Sequence, residues 1–566
     1  MRKDVLILYV VLLAVVVAVA EQPSKRSRYL GDSVRLPGTA IAAMQKIDPE
    51  RIRAHVRYLS HDLLEGRGTG QRGGDIAAEY MATQFALEGL KPAGDHGSYL
   101  QKVPLVGITP DSATTFSLVP ANGPAVDLKP LEQYVAYDQT QQPQSHVDAD
   151  IVYVGYGIEA PEYNWDDYKG VDVRGKVLLM LVNEPPSDDP SFFKGKALTY
   201  YGRWTYKYEE AARKGAVGAI LIHKSEMASY PWQVVRSSNS AEKSFLTLDG
   251  TPKLQVAGWI TGEVAQQIAS ASGLNLDKMM SDARSRDFRP VPLPVKLKAH
   301  MVSKVRPFFS SNVLAMLPGS DPKLRDEAVI YTAHYDHLGF RPELPPGNNI
   351  FHGAADNATG CGILLELARA YAQSVQKPRR SILFASVTAE EQGLLGSEYL
   401  SKHSPIPAGK ISLDLNYDDL PPLGESQEVE VNGAERTTFY SVVKAMAATF
   451  HLTIRPDSHP EAGHYYRSDH FSMARVGIPG FSIAEGMKYK GHDTAWGLQQ
   501  SEEFIAKHYH QPSDEYRPEM NFIGDAAMAR FGFALGWEAA SQTKLVQWQK
   551  GDEFEPARLR SASGNE

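Results

Sequence analysis

Five short clusters in this sequence hold side chains that could do chemistry: His334-Tyr335-Asp336-His337, Ala355-Asp356-Asn357, Glu390-Glu391, Asn416-Tyr417-Asp418 and Tyr509-His510. Imidazole nitrogens and carboxylate oxygens are the donors that zinc and similar divalent ions accept when they assist hydrolysis. Adjacent carboxylates at the end of an apolar segment repel each other unless a cation neutralises them. A carboxylate beyond the ligand count is what a general base requires. Each cluster alone has an ordinary account: a hydrogen-bonded loop histidine, first-turn acids favoured by a helix dipole, or helix N-caps at Asp356 and Asp418. Together they point to a metal-dependent hydrolase. The single cysteine, Cys361, excludes an intramolecular disulfide and a cysteine-based zinc finger, so any metal must sit on His, Asp and Glu.

Rigid elements must hold such clusters in place, and the flanking sequence supplies them. Residues 328–333 form a continuous apolar run that predicts a strand ending at His334. Residues 362–372 predict a helix just after Asp356. Residues 381–387 predict a second buried strand before Glu390, and 411–415 a short one before Asp418. Apolar strands alternating with helices indicate an α/β domain with a mainly parallel sheet. Ligands bind such sheets beyond the carboxyl ends of the strands.

The chain has 566 residues, 43% of them hydrophobic and 22% charged, with a net charge of −8. The length exceeds one ordinary domain, and the balance is that of a folded protein. The acidic charge argues against a nucleic-acid binder held by a broad basic face. Arg2 and Lys3, the apolar run 5–20 and its small-residue end Ala18-Val19-Ala20 predict a signal peptide over residues 1–20. The mature protein is then expected to be exported, periplasmic or extracellular, with no stable membrane anchor after cleavage. Residues 21–149 begin with helices across 47–93, interrupted by the turn-rich stretch 65–70, and continue as strands. Residues 150–290 change character, with short β runs at 151–154, 177–182 and 219–222, and Pro290, Pro292 and Pro294 mark a boundary. Residues 291–545 carry the chemical clusters, and 546–566 form a polar tail expected to be loosely held.

Two glycine patterns mislead. Gly68-x-Gly70-x-x-Gly73 has dinucleotide-fingerprint spacing but follows a polar helical stretch instead of a strand, and Gly155-x-Gly157-x-x-Ala160 runs into Pro161 instead of a helix.

The clusters, extended to His334–Gly339, Gly353–Gly360, Ala389–Ser397, Leu415–Asp418 and Tyr509–Asp514, resemble in order those of the co-catalytic dizinc aminopeptidases, zinc exopeptidases related to glutamate carboxypeptidase. The resemblance covers roughly residues 45–145 and 295–540. It implies a three-layer α/β/α fold, and residues 150–290 are similar to the protease-associated domain that these enzymes often carry as an insertion. By motif, Asp356 would bridge two zinc ions, His334 and Asp418 would complete one site, and Glu391 and His510 the other. Glu390 would be the general base for hydrolysis of peptide substrates. Asp418 fits the family's Asn-x-Asp pattern better than Asp414 or Asp419. The family often has Asp-Asp at the bridge, where this chain has Asp356-Asn357, and its bridge is followed by a cis peptide bond. Tyr465 or Tyr466 is a candidate oxyanion donor, with Asp469 beside them as a further substrate-binding candidate. His337, His352, His464 and His470 are expected in supporting or loop positions. The alternatives are a carboxypeptidase or dipeptidase of the same fold, and a non-catalytic binding protein that retains it.

Overall fold

One strand, Val291–Leu317, organises the whole molecule. The computed structural model describes residues 36–563 except 229, 241, 419 and 458; the predicted signal segment and Asp419 lie outside the described residues. The first part of the long strand pairs antiparallel with Gln144–Tyr153, and its second part pairs antiparallel with Leu100–Pro110 and Ser381–Val387. A single backbone therefore runs through two sheets.

The first sheet continues from Ser381–Val387 through Ala328–His334 and Ile411–Asn416 to Gly480–Ser482, all parallel. Its central strands are buried along their full length, as expected for strands covered on both faces. Alternate side chains serve opposite faces. Val329, Tyr331 and Ala333 join the core beneath helices Thr359–Gln373 and Ile523–Ser541, whereas Ala328 and Ile330 join the core on the other face with Leu400 and Met473. This is the three-layer arrangement expected from the sequence. The strands predicted at 328–333 and 381–387 fall within a residue of those observed, because continuous apolar runs bounded by polar clusters leave little ambiguity.

The second sheet holds Val177–Leu181, Gly218–Ile222 and Val256–Ile260 in parallel, with helices Trp204–Arg213 and Gly262–Ala271 packed against it. It also takes in Thr115–Pro120 on the long strand and Tyr134–Tyr137 at its far edge. No described helix is long and apolar enough to cross a membrane.

The end of the chain, expected to be loosely held, is docked. Trp548 is buried and its indole donates to Gly477 O at 3.1 Å. Helix Glu555–Ala562 buries Arg558, whose guanidinium donates to the carbonyls of Ala408, Ile411 and Val546. A polar composition concealed two anchors that satisfy buried backbone carbonyls.

Candidate metal centre

The predicted residues converge at the carboxyl edge of the first sheet. His334 ends strand Ala328–His334, Glu390 and Glu391 follow Ser381–Val387, and Asp418 follows Ile411–Asn416. Asp356 lies in the irregular segment Ala354–Ala358, which opens helix Thr359–Gln373. The Asp356–Asn357 peptide bond is cis. His510 comes from the turn after helix Thr494–Lys507.

Asp356 stands at the centre and faces two ways. Its Oδ1 is 3.3 Å from His334 Nε2, and its Oδ2 is 3.3 Å from His510 Nε2. His334 Nε2 is also 2.9 Å from Asp418 Oδ1, and His510 Nε2 is 3.1 Å from Glu391 Oε2. Ligand atoms of His334, Asp356 and Asp418 lie within 4.8 Å of one another, as do those of His337, Asp356 and Glu391. Two donor groups thus share one carboxylate. Imidazole nitrogens and carboxylate oxygens turned toward a common point, without sulfur, are a donor set that fits zinc.

His337 was expected in a supporting position. Its Nδ1 lies 2.5 Å from Glu391 Oε1 and 3.8 Å from Asp356 Oδ2, so it stands with His510 at the second group. Glu390 approaches His334 Nε2 at 3.9 Å without joining either group.

The electrostatics separate the adjacent acids. Burial alone would raise the Glu391 carboxyl, but His510 and His337 outweigh it and bring it down to about 2. Burial likewise opposes ionisation of Asp356, and His337, His334 and His510 hold that carboxyl well below the usual range. His334 and His510 are pushed well up despite burial, the first by Asp418 and Glu390 and the second by Glu391 and Asp356. Glu390 moves the opposite way, well above the usual range, through burial and the charges of Asp418 and Glu391. One carboxylate of the pair is poised to hold cations and the other to hold a proton.

Supporting residues went unassigned at the level of sequence. Asp336 accepts from Thr69 Oγ1 at 3.0 Å and from Glu390 N at 3.1 Å, and burial pushes its carboxyl up to about 6. Asp514 accepts from the backbone N–H groups of Ala355 and Asp356 at 3.0 and 3.1 Å, which fixes the central segment. Ser468 Oγ donates to Asp418 Oδ2 at 2.5 Å. Arg67 is fully buried and donates to the carbonyls of Leu59, Tyr335, His352 and Gly353, tying the metal loops to the N-terminal helices. The misleading glycine pattern lies beside it. A side chain at Gly73 would sit 1.7 Å from Leu64 O, so close packing of helix Arg72–Leu87 on the preceding turn accounts for that glycine.

The substrate-binding candidates divide. Tyr465 and Tyr466 are buried, and their hydroxyls donate to Gly480 O at 3.2 Å and Glu553 Oε1 at 2.6 Å, not toward the donor groups. Asp469 does lie against the cluster. Burial pushes its carboxyl up to about 7, with Asp418 adding to the shift and His334 opposing it. His352 turns to Asp62, 2.9 Å away, and His464 to Asp457, 3.2 Å away.

Comparison with known proteins bears on what this edge is. Residues 312–530, which hold every one of the five predicted metal ligands and Glu390, match the family described as "Peptidase family M28". Those residues are what is similar to that family. A "Probable zinc metalloprotease" of Pyrenophora teres f. teres is 32% identical over 149 residues, covering 25% of this chain and 26% of that protein. The "Aminopeptidase NAALADL1" of Mus musculus is 36% identical over 137 residues, covering 22% of this chain and 16% of that protein. The chain thus spans about a quarter or less of the length of these relatives. Among solved structures, an aminopeptidase from Aneurinibacillus sp. strain AM-1 aligns over 91% of this chain and 98% of its own, with 18% identity and a TM-score of 0.49. Outside the matched residues, Thr69 and Arg67 bond to Asp336 and Tyr335 beside the donor groups.

Proposed function

We propose that this protein is a zinc-dependent aminopeptidase that removes N-terminal residues from peptides and uses two metal ions. The observation that carries the reading is Asp356, whose two carboxylate oxygens face different histidines within a match to peptidase family M28. His334, Asp356 and Asp418 would hold one ion, and Asp356, Glu391 and His510 the other. His337 is a further donor at the second site, since its Nδ1 reaches the same carboxylates. Bound zinc would supply a Lewis acid that acidifies water and polarises the scissile carbonyl.

The chain's own groups do the rest. Glu390 stands next to the ligands, and its surroundings favour the protonated carboxyl once a proton arrives. It accepts a proton from the attacking water and returns it to the leaving amine. Asp336 holds the Glu390 backbone N–H, and its carbonyl faces His334 Nδ1 at 3.0 Å, so one residue orients both base and ligand. The acids around Asp469 suit the cationic α-amino group of a substrate, which favours an exopeptidase that recognises the amino end.

Residues 1–20 are proposed to direct export and to be removed, and 150–290 to be a protease-associated insertion. The reading is tested by assaying a panel of aminoacyl anilides beside N-blocked peptides, before and after chelation. Hydrolysis of the anilides alone, abolished by chelator and restored by zinc, is expected. Cleavage of the blocked peptides alone would contradict the reading, and so would full activity in chelator.

A further inference from the structure

One buried acid close to the metal centre belongs to neither donor group. Asp414 lies within strand Ile411–Asn416 and is fully buried. Leu413 and Leu415 turn to the core beneath the helices, so Asp414 and Asn416 turn to the opposite face. On the neighbouring strand, Thr332 pairs with Asn416 and its hydroxyl reaches both of these side chains. The second oxygen of Asp414, Oδ2, is buried without a hydrogen-bond partner. Burial holds the Asp414 carboxyl well above the usual range, with Asp469 adding to the shift and Thr332 opposing it. A buried acid costs far less neutral than ionised.

A series of side chains connects Asp414 to the metal centre. Asp414 Oδ1 is 3.0 Å from Thr332 Oγ1, and Thr332 Oγ1 is 2.8 Å from Asn416 Oδ1. Asn416 Nδ2 is 2.6 Å from Ser468 Oγ, and Ser468 Oγ is 2.5 Å from Asp418 Oδ2. The other oxygen of Asp418, Oδ1, faces His334 Nε2 at 2.9 Å.

Proton counting fixes the direction of each link. A hydroxyl has one proton to donate, and a carboxylate has none. Asp418, as a ligand carboxylate, only accepts, so Ser468 donates to it. Ser468 has then used its proton, and the link to Asn416 is donated by Asn416 Nδ2. Asn416 Oδ1 accepts the Thr332 proton. Thr332 has no second proton, so the proton between it and Asp414 belongs to Asp414. Turning the Asn416 amide over would draw the Ser468 proton onto Asn416 and leave the 2.5 Å approach of Ser468 to Asp418 without one.

We propose that Asp414 is a positioning residue: its carboxyl carries a fixed proton and heads a one-way chain of hydrogen bonds that locks the Ser468 hydroxyl onto Asp418 Oδ2 and leaves Oδ1 for a metal ion. The assignment of Oδ1 to a metal rests on the zinc reading proposed above, whereas the proton count needs only that Asp418 be a carboxylate. Ionised Asp414 would claim the Thr332 proton, leave Asn416 Oδ1 without a donor and free the amide to turn. The state of this acid is thereby felt at the ligand.

The test uses the full chain, zinc-loaded and zinc-stripped. At about pH 8, where an ordinary aspartate is ionised, infrared difference spectra between wild type and Asp414→Asn are expected to show a carbonyl band of a protonated carboxylic acid. The band should belong to wild type alone and persist in both metal states. Thr332→Val removes the acceptor of that proton and should shift the same band, which decides the question if Asp414→Asn does not fold. Zinc affinity is measured by competition with a chelating dye. It should stay within about threefold in Asp414→Asn, whose amide N–H replaces the acid O–H, and fall about 10- to 100-fold in Asn416→Asp, which cannot donate to Ser468. Absence of the band, a band that Thr332→Val leaves unmoved, or unchanged zinc affinity in Asn416→Asp overturns the proposal. Failure of wild type to bind zinc would overturn the zinc reading instead, and the infrared band would still decide where the proton lies.

Discussion

Two clusters in this molecule bury carboxylates beside basic side chains, and they respond in opposite ways. Beside the second sheet, Asp167, Glu184 and Lys207 are almost fully buried. Burial pushes the acids up to about 6 and about 7 and the amine down to about 7. Backbone and hydroxyl donors hold the acids: Ile158 N–H for Asp167, and Thr199 N–H and Oγ1 for Glu184. That trio moves toward neutrality, as expected for charge in a low-dielectric interior. At the M28 edge, Asp356 and Glu391 are held down and His334 and His510 pushed up. There His334, His337 and His510 hold these two acids down, while Glu390, Asp336 and Asp469 beside them move up as the trio does. Burial of acids therefore does not by itself mark such a centre; what separates the two cases is a carboxylate shared between imidazoles, which holds two of the acids down.

Removing the centre of the M28 cluster should give the largest effect. Asp356→Ala is expected to lower kcat/KM by about a thousandfold or more and to lose bound metal, because both sites share this carboxylate. Elemental analysis beside anilide assays checks it. Retention of both ions would erase the distinction between the clusters. A smaller effect is expected from Asp336→Asn, which keeps shape but changes the group behind Glu390 and His334; a loss of about 10- to 100-fold in activity or metal affinity is expected from its supporting position.

Lys207→Met probes the other cluster. The Lys207 Nζ is buried without a hydrogen-bond partner, so chemical denaturation at pH 7 should show stability unchanged or raised by about 1 kcal/mol, with metal content unchanged. A loss of metal instead would show that this trio and the cluster around Asp356 are linked.

Asp525 provides an acid without any paired cation, and the smallest effect. Its two oxygens are buried without hydrogen-bond partners, and burial pushes the carboxyl up to about 7, with Arg53 opposing. An unfolded aspartate titrates near pH 4, so the native chain holds a proton that the unfolded chain has released between about pH 4 and pH 7. The associated stability is fully present below about pH 4 and is lost as pH rises through about 7. Asp525→Asn should flatten that decline by a few degrees in Tm between pH 5 and pH 8. An unchanged slope would remove Asp525 from this account.

The M28 edge was legible because buried parallel strands leave few options. A continuous apolar run forces His334 and Glu390 to the strand ends, and the motif order then pairs them with Asp356 and Asp418. His337 was less legible, since two imidazoles within reach of one carboxylate differ only in three dimensions. Arg67 gave no signal because its four partners are backbone carbonyls, which every sequence contains. The tyrosine hydroxyls went elsewhere because Gly480 O and Glu553 offered acceptors within the fold. The extent of the second sheet was hidden by the long strand Val291–Leu317, which pairs with Leu100–Pro110, Thr115–Pro120 and Gln144–Tyr153.

The central claim is that the side chains sharing Asp356 hold a pair of cations while Glu390 stays outside the ligand set. Metal content of purified, zinc-replete wild type and Glu390→Gln, measured beside anilide turnover, tests it most directly. Two equivalents of zinc per chain in both proteins, with turnover lost only in the variant, is the predicted result. A single equivalent in wild type, loss of zinc in Glu390→Gln, or full turnover in that variant would contradict it.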